Sequence, residues 1–465
     1  MAGRDEKRDE KGRPARIGAR LVEDEEYQLR CERAAGIDVA KASAVVCVRL
    51  PAVREGGRRV WRTEEVEATV PAIMALAGRL LDDGVEMASM ESTSDYWRIW
   101  YYVLEAAGLK VQLVNSSQAR QLAGRPKTDK LDAQWLARLT EMGLLRPSFV
   151  PPPEIRRLRD FTRTRLQLVR DRTREWQRLE KLLEGALVKL SSVLSSLART
   201  KTARLVIEAM IDGERDPRKL AGLALGAARG KRDKIARALD GCLFDDRHAL
   251  LARIHLDHID FLDRKVAALD DEIAACLDAI PGARGVDADG AAGPDPGPAA
   301  AVLPAAARLA EIPGVTEDLA RMIIAEIGLD MTRFQTPAHL VSWAGLAPVA
   351  RQSGPRAGKP RKGQGDGYLR GFCTQAAAGA AGTDTFLGER HRRIAAKRGP
   401  LRARCAVARS ILVIIWHLLA DPEARYADLG PDWHHRKTGR DKKIQGCIRQ
   451  LQALGLDVTV TPAAA

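Results

Sequence analysis

Residues Gly124–Ala133 read G-R-P-K-T-D-K-L-D-A and run on into Gln134–Leu139, Q-W-L-A-R-L. Pro126 and Thr128 precede a segment whose apolar residues Leu131, Trp135, Leu136 and Leu139 recur at helical spacing, which predicts a helix starting near Thr128. On that helix Asp129 and Asp132 lie three apart and share one face. Two carboxylates side by side repel unless a cation sits between them. Acidic residues also suit a helix N-terminus because of the helix dipole, so the pair alone does not separate a chemical site from an ordinary helix start.

Upstream residues change that balance. Ala34–Leu50, A-A-G-I-D-V-A-K-A-S-A-V-V-C-V-R-L, reads as one strand turning into another, with Asp38 in the middle of the first. An acid inside an apolar strand needs a partner or a metal. Val85–Ser92, V-E-M-A-S-M-E-S, reads as a second short buried strand with Glu91 where it ends. Asp38 and Glu91 therefore sit on strands, Asp129 and Asp132 on a following helix. Four carboxylates that converge would hold hard divalent ions through oxygen ligands. Two such ions clamp the attacking and leaving oxygens in phosphodiester chemistry.

Between and after these strands, Asp95–Gly108 reads as a helix ending at glycine, Lys110–Asn115 as a strand, and Ser116–Ala123 as the start of another helix. Alternating strands and helices imply an α/β layer fold, which a ribonuclease-H-like sheet satisfies. Tyr96, Trp97, Trp100, Tyr101 and Tyr102 are expected to pack that helix on the sheet rather than stack on bases. The order Asp, Glu, then Asp-x-x-Asp in a K-T-D-K-L-D-A context resembles the DEDD transposases of bacterial insertion sequences, the insertion-sequence 110 family, whose N-terminal domain is RuvC-like.

At 465 residues the chain is expected to hold two or three domains. With 45% hydrophobic and 29% charged residues it has ample material for a core. A formal net charge of +14 favours a polyanionic partner, because lysine and arginine displace counterions from phosphates. Charge alone does not choose among nucleic acids, or exclude a membrane surface. The seven cysteines form no C-x-x-C pair, so neither a zinc site nor a disulfide framework is expected, and a reduced cytosolic compartment fits. The charged start, M-A-G-R-D-E-K-R-D-E-K-G-R, has no signal-peptide character, and the apolar run Ile411–Leu419 is too short to span a bilayer. The expectation is a soluble cytoplasmic protein with no membrane partner.

Residues 1–28 read as a disordered charged tail, and 29–150 as the RuvC-like domain with the carboxylates. Four prolines in Pro147–Pro153 mark its end. Residues 151–280 read as a basic, coiled-coil-like helical region. Ile155–Leu197 carries nine arginines between Arg156 and Arg178 beside an apolar stripe, and a second amphipathic run spans Phe244–Ile280. That arginine density leans towards phosphate contact over a solvated face. His255 and His258 lack a third ligand nearby and read as ordinary surface histidines. Residues 281–305, rich in Gly, Pro and Ala, read as a flexible linker, 306–420 as a small, mostly helical C-terminal domain, and 421–465 as a tail that includes His434 and His435. Within the C-terminal domain, Leu309–Gly328 reads as helix, I-P-G-V turn, helix, resembling a helix–hairpin–helix whose turn amides grip DNA phosphates.

Leu340–Arg370 is the second chemical stretch. Ser353 sits between Arg351, Gln352 and Gly354, among glycines and the cations Arg356, Lys359, Arg361 and Lys362. Such a loop can approach and neutralise a phosphate. Physically the serine is either a phosphate ligand or a nucleophile, and no adjacent histidine supplies a base. A-G-L-A-P, then Q-S-G, then lysine and arginine, then Y-L-R is similar to the C-terminal domain of the same insertion-sequence 110 family. Members commonly read S-G-G-K where this chain reads S-G-P-R-A-G-K, and Ser342, in an apolar context, is assigned to the fold.

The resemblance implies a DNA transposase or site-specific recombinase. Asp38, Glu91, Asp129 and Asp132 would bind Mg2+, and Ser353 would attack the DNA backbone to form a transient phosphoserine link. It further implies a homo-oligomer (dimer or tetramer), a site shared between protomers, donor and target DNA as partners, and a structured noncoding guide, the bridge RNA. Two rivals stay open. One is a metal-dependent junction resolvase or nuclease without a covalent intermediate. The other is a nucleic-acid-binding protein whose carboxylates are structural.

Overall fold

The protein is described by a computed structural model over residues 29–52, 58–115, 129–286, 292–293, 303–349, 352–353, 356–357, 361–362, 365–437 and 440–459. The expected charged tail 1–28, the helix expected at Ser116–Ala123, the start of the opening motif up to Thr128, and most of the expected linker lie outside the described residues. The chain divides into two units, Met1–Val150 and Pro151–Ala465.

The first unit is built on a sheet of β1 (Ala34–Val39), β2 (Ser43–Leu50), β3 (Val60–Glu67), β4 (Met87–Glu91), β5 (Val111–Val114) and β6 (Pro147–Ser148), in the order β3-β2-β1-β4-β5-β6. β1, β2 and β3 are successive antiparallel neighbours, while β4 runs parallel to β1 and β5 parallel to β4. This three-stranded meander extended by parallel strands is the ribonuclease-H-like, RuvC-like sheet. Strand side chains alternate between faces. Ala35, Ile37 and Val39 of β1, Ala44, Val46 and Val48 of β2, and Ala88 and Met90 of β4 form one core with the helices α1 (Val70–Asp82) and α2 (Trp97–Ala106). Trp100 and Tyr101 are buried there, and Trp97 and Tyr102 pack against them, so most of the aromatic cluster serves the core.

The opposite face takes α3 (Asp129–Glu141). Gly36 explains how closely it lies. A Cβ at that position would stand 2.3 Å from both the Ala133 carbonyl oxygen and the Ala137 nitrogen. No side chain fits between strand and helix, so glycine is required for backbone approach. The far end of α3 is fixed by Glu141, 1% exposed, whose carboxylate meets Arg49 and Arg59 at 2.5 Å each. Arg49 also lies over the Trp61 ring, 4.1 Å from its centroid.

The second unit is helical: α4 (Pro153–Gly185), α5 (Leu190–Val193), α6 (Lys201–Ile211), α7 (Pro217–Gly222), α8 (Arg232–Leu239), α9 (Asp246–Asp278), α10 (Ala305–Ala310), α11 (Glu317–Ile327), α12 (Pro337–Trp343), α13 (Gly367–Ala380), α14 (Phe386–Arg398), α15 (Pro400–Ala420), α16 (Trp433–Lys437) and α17 (Arg440–Ala453). The two long helices α4 and α9 pack together, and residues between them fold into a small helical module around Val206, Ile207, Met210, Leu220, Ile235 and Leu239. Only α4 and α9 suit the coiled-coil expectation; the spacer folds against them and shares one core with Leu179 and Leu183 of α4 and Ala252, Leu256 and Ile259 of α9.

The arginines of α4 are mostly committed within the protein, against the leaning towards phosphate. Arg159 and Arg163 meet Glu326, Arg165 meets Asp270, Arg172 meets Asp263, Arg174 meets Asp171 and Arg178 meets Glu175. α9 and α11 supply the acids for Arg159, Arg163, Arg165 and Arg172, which the spacing along α4 alone did not disclose, while Arg174 and Arg178 meet acids of α4 itself. His258 is a surface histidine as expected and His255 is partly buried, but both are paired. Their Nδ1 atoms stand 2.9 and 3.4 Å from the two oxygens of Glu175. Glu175 is 4% exposed, and ion pairing stabilises a buried carboxylate. Burial pushes its carboxyl up, but His255 and Arg178 outweigh that and hold it below the ordinary carboxylate range.

The I-P-G-V turn joins α10 to α11 as expected, but it is docked on protein. Gly314, at φ 86°, lies so close to α13 that a Cβ would be 2.2 Å from the Ala376 carbonyl oxygen. Residues expected as a tail also pack back: Arg308 donates to the Asp421 carbonyl at 3.0 Å, Glu311 accepts from the Tyr426 nitrogen at 3.0 Å, and His434 stacks on Phe386 at 5.2 Å. The apolar run Ile411–Leu419 belongs to the longer α15, whose 21 residues make it the one described helix long and apolar enough to cross a membrane. Ala403, Val407, Ala408, Ile411, Leu412 and Ile415 are buried along it, as in the central helix of a core.

Candidate active site

The register of β1 on β4 aligns Ile37 with Met90, so one residue further Asp38 comes level with Glu91. Alternation places both on the α3 face, since Ala35, Ile37, Ala88 and Met90 occupy the other. The direction of α3 follows from its neighbours. Glu141 lies beside Arg49, which pairs across from Ala34, and Ala133 and Ala137 lie over Gly36. α3 thus runs opposite to β1, and its first turn, with Asp129 and Asp132, reaches the end of β1 where Asp38 stands. All four carboxylates are brought to one end of one face.

Their environments differ. Glu91 is buried at 4%, Asp38 and Asp132 are half-buried, and Asp129 is exposed. Asp38, Glu91 and Asp132 each have an interaction partner. Among the described residues, no three His, Cys, Asp or Glu side chains are gathered tightly enough to hold one ion. In kind the set suits a hard divalent cation, since it offers carboxylate oxygens alone and no thiolate or imidazole. Drawing like charges onto one point takes a cation. Ser89, level with Gly36, is buried and accepts from Thr140 Oγ1 at 2.5 Å and Gln112 Nε2 at 2.6 Å, tying β4, α3 and β5 together just behind the acids.

In the second unit the described residues around Ser353 are short strands. Pro348–Val349 pairs antiparallel with Arg361–Lys362, and separately Gln352–Ser353 pairs antiparallel with Arg356–Ala357, setting Ser353 opposite Arg356. The side chains of this stretch lie outside the described residues. The base of the hairpin is closed by the Asp366 nitrogen, which donates to the Trp343 carbonyl at 3.1 Å. Gly365 is pressed there, 2.3 Å from the Gly345 nitrogen had it a Cβ.

A charged cluster not foreseen from the sequence anchors this base. Asp366 caps α13, accepting from the Leu369 nitrogen at 2.7 Å, and also meets Arg163 at 3.3 Å. Arg163 makes a two-point contact with Glu326 at 2.7 and 2.9 Å and lies 4.2 Å from the Tyr368 ring centroid. Glu326 is fully buried. The signal was present: an acid inside the apolar run M-I-I-A-E-I demands a cation.

Helix over a ribonuclease-H-like sheet, with acids gathered at one end, is the arrangement of a class of enzymes that cut nucleic-acid strands. Comparison with known families narrows this. A DEDD transposase model of the IS110 type, described as "Transposase", matches residues 35–188, and a model described as "Transposase IS116/IS110/IS902 family" matches residues 306–386. Together they span half of the chain, which belongs to the IS110 family of DEDD transposases. It is thus a DNA-cutting enzyme of a metal-dependent kind. None of the curated proteins compared matches it. Solved structures similar to it include "Thermus thermophilus RuvC structure", 18% identical, covering 25% of this chain and 99% of that one with a TM-score of 0.20. "T. thermophilus RuvC in complex with Holliday junction substrate" is 17% identical, with 25% and 100% covered and a TM-score of 0.20.

Proposed function

We propose that the protein is a transposase or site-specific recombinase that cuts and rejoins DNA strands, with Asp38, Glu91, Asp129 and Asp132 as its metal-binding acids and Ser353 as its nucleophile. The observation that carries this reading is the level placement of Asp38 and Glu91 on parallel strands, under a helix whose first turn supplies Asp129 and Asp132. Bound there, Mg2+ supplies Lewis acidity, neutralising charge on phosphoryl oxygens. The Ser353 hydroxyl oxygen attacks phosphorus and gives up its proton to solvent. The bond from phosphorus to the departing sugar oxygen breaks, and that oxygen takes up a proton. The phosphodiester is conserved as a serine ester, and the reverse attack by another DNA hydroxyl rejoins the strand. The guide RNA, the pairing of donor with target DNA, and the homo-oligomer belong to the same proposal, and rest on the family alone.

The test is cleavage of element-junction DNA by Asp38→Asn, Glu91→Gln, Asp129→Asn and Asp132→Asn, each checked for DNA binding and for the wild-type unfolding temperature. The proposal expects binding to persist and cleavage to fall by about a hundredfold or more, as loss of a main electrostatic contribution does. Full cleavage by any folded variant would remove that residue from the site.

A further inference from the structure

Between Phe386 and Arg409 the chain holds Arg390, Arg392, Arg393, Lys397, Arg398, Arg402, Arg404 and Arg409 against a single acid, Glu389. α14 and α15 form an antiparallel hairpin about Gly399, whose φ of 81° makes the tight reversal possible. Glu389 and Asp384 both lie against Arg392, so the acids serve that side of α14 alone. Arg390, Arg393 and Lys397, at spacings of three and four, occupy another face. Arg402 and Arg409, seven apart, share a face of α15.

These two rows adjoin. Arg390 is half-buried, and its guanidinium is held below its ordinary range first by burial and then by its neighbours Arg393 and Arg409. Among the described residues its Nε has no hydrogen-bond partner. Lys397, Arg402, Arg404 and Arg409 are exposed and form no ion pair among the described residues. Elsewhere in this unit arginines meet acids, as along α4. Here Arg390 is set against the cations Arg393 and Arg409, and Arg393 also meets His434 Nε2 at 3.3 Å.

We propose that this face of the α14–α15 hairpin, Arg390, Arg393 and Lys397 with Arg402 and Arg409, is a docking surface for the sugar–phosphate backbone of duplex DNA. The α14 row is about 10 Å long by helix rise. That spans about three phosphates of one strand at their axial spacing. With cations and no acid or aromatic among those five residues, the surface grips and positions without reading sequence. This rests on the DNA-cutting reading above.

The experiment uses the full-length protein in EDTA, where binding is read without cleavage. Affinity for a 40-base-pair duplex (about that length) is measured against salt. Lys397→Gln/Arg402→Gln/Arg409→Gln, three residues without ion-pair partners among the described residues, is compared with Arg253→Gln/Arg264→Gln/Lys265→Gln on α9, which removes the same charge. The hairpin variant is expected to lower the slope of log affinity on log salt by about two to three, at roughly 0.9 for each phosphate no longer neutralised, and the α9 variant to leave it nearly unchanged. Equal slopes for wild type and hairpin variant would overturn the assignment. A loss seen with an RNA duplex and not with DNA would overturn it too. A wild-type protein that binds no DNA at low salt would overturn the DNA-cutting reading along with it.

Discussion

Gly36 leaves no room for a side chain, and that single fact fixes where α3 and its two aspartates lie. Gly36→Ala would drive a methyl group into the backbone of Ala133 and Ala137. Overpacking against backbone is expected to cost about 3 kcal/mol, read as a lowered denaturation midpoint, and to reduce cleavage by displacing Asp129 and Asp132 from Asp38. Glu175 gives a pH signature. Its folded carboxyl lies below its ordinary value of 4.5, so its contribution is present above that pH and lost as pH falls through the depressed value. Unfolding temperature should therefore decline below about pH 4.5, and Glu175→Gln should flatten that decline while lowering stability at neutral pH. Among thiols, burial pushes Cys31 and Cys47 up to about 11 and Cys373 up to about 12, whereas Cys405 and Cys447 are exposed. Maleimide labelling followed by mass analysis is expected to find Cys405 and Cys447 first; rapid modification of Cys373 in the folded protein would contradict its place in the core.

At the scale of elements, the strands and helices carrying the acids were readable because alternation and helical period are strong local signals. β1, β2, β4, α2 and β5 fall within the stretches expected for them, and α3 begins at Asp129. What the sequence withheld is pairing between distant elements. Nine arginines on α4 read as a nucleic-acid surface until α9 and α11 supply acids to Arg159, Arg163, Arg165 and Arg172, and a glycine turn read as a phosphate grip until α13 arrives against it. Hydrophobic period says which face is buried, not which charged residue of a remote helix meets it. Glu326 is the sharpest case. Removing a partner from a buried ion pair is costly, and Arg163→Ala leaves Glu326 with Arg159 alone, so it is expected to cost about 3 kcal/mol and to loosen the hairpin base through Asp366. Replacing Glu326 and Arg163 together by apolar residues should recover much of that loss, as a double-mutant cycle would reveal.

Across the whole molecule, the net charge of +14 is unevenly used. Along α4 it is taken up by internal pairs, and on the α14–α15 hairpin it stands against other cations. The site acids were legible as residue types and order, yet their common end of the sheet became visible only through register and the direction of α3. Ser353, the proposed nucleophile, was singled out by its stretch, and its backbone stands in a short antiparallel pair opposite Arg356. Removing divalent ions with EDTA is expected to stop cleavage while circular dichroism remains unchanged, because the cores are apolar and the buried Glu141 and Glu326 are paired by arginine. Loss of helix signal on chelation would instead make the metal structural.

The most direct measurement is a trapping assay: the protein, Mg2+, junction DNA from its element and the flanking transcript are combined, denatured, and resolved for protein covalently attached to DNA. The account predicts an adduct with the wild type that disappears in both Ser353→Ala and Asp129→Asn. Cleavage with no adduct, undiminished in Ser353→Ala, would contradict it and leave a metal-dependent nuclease that uses water.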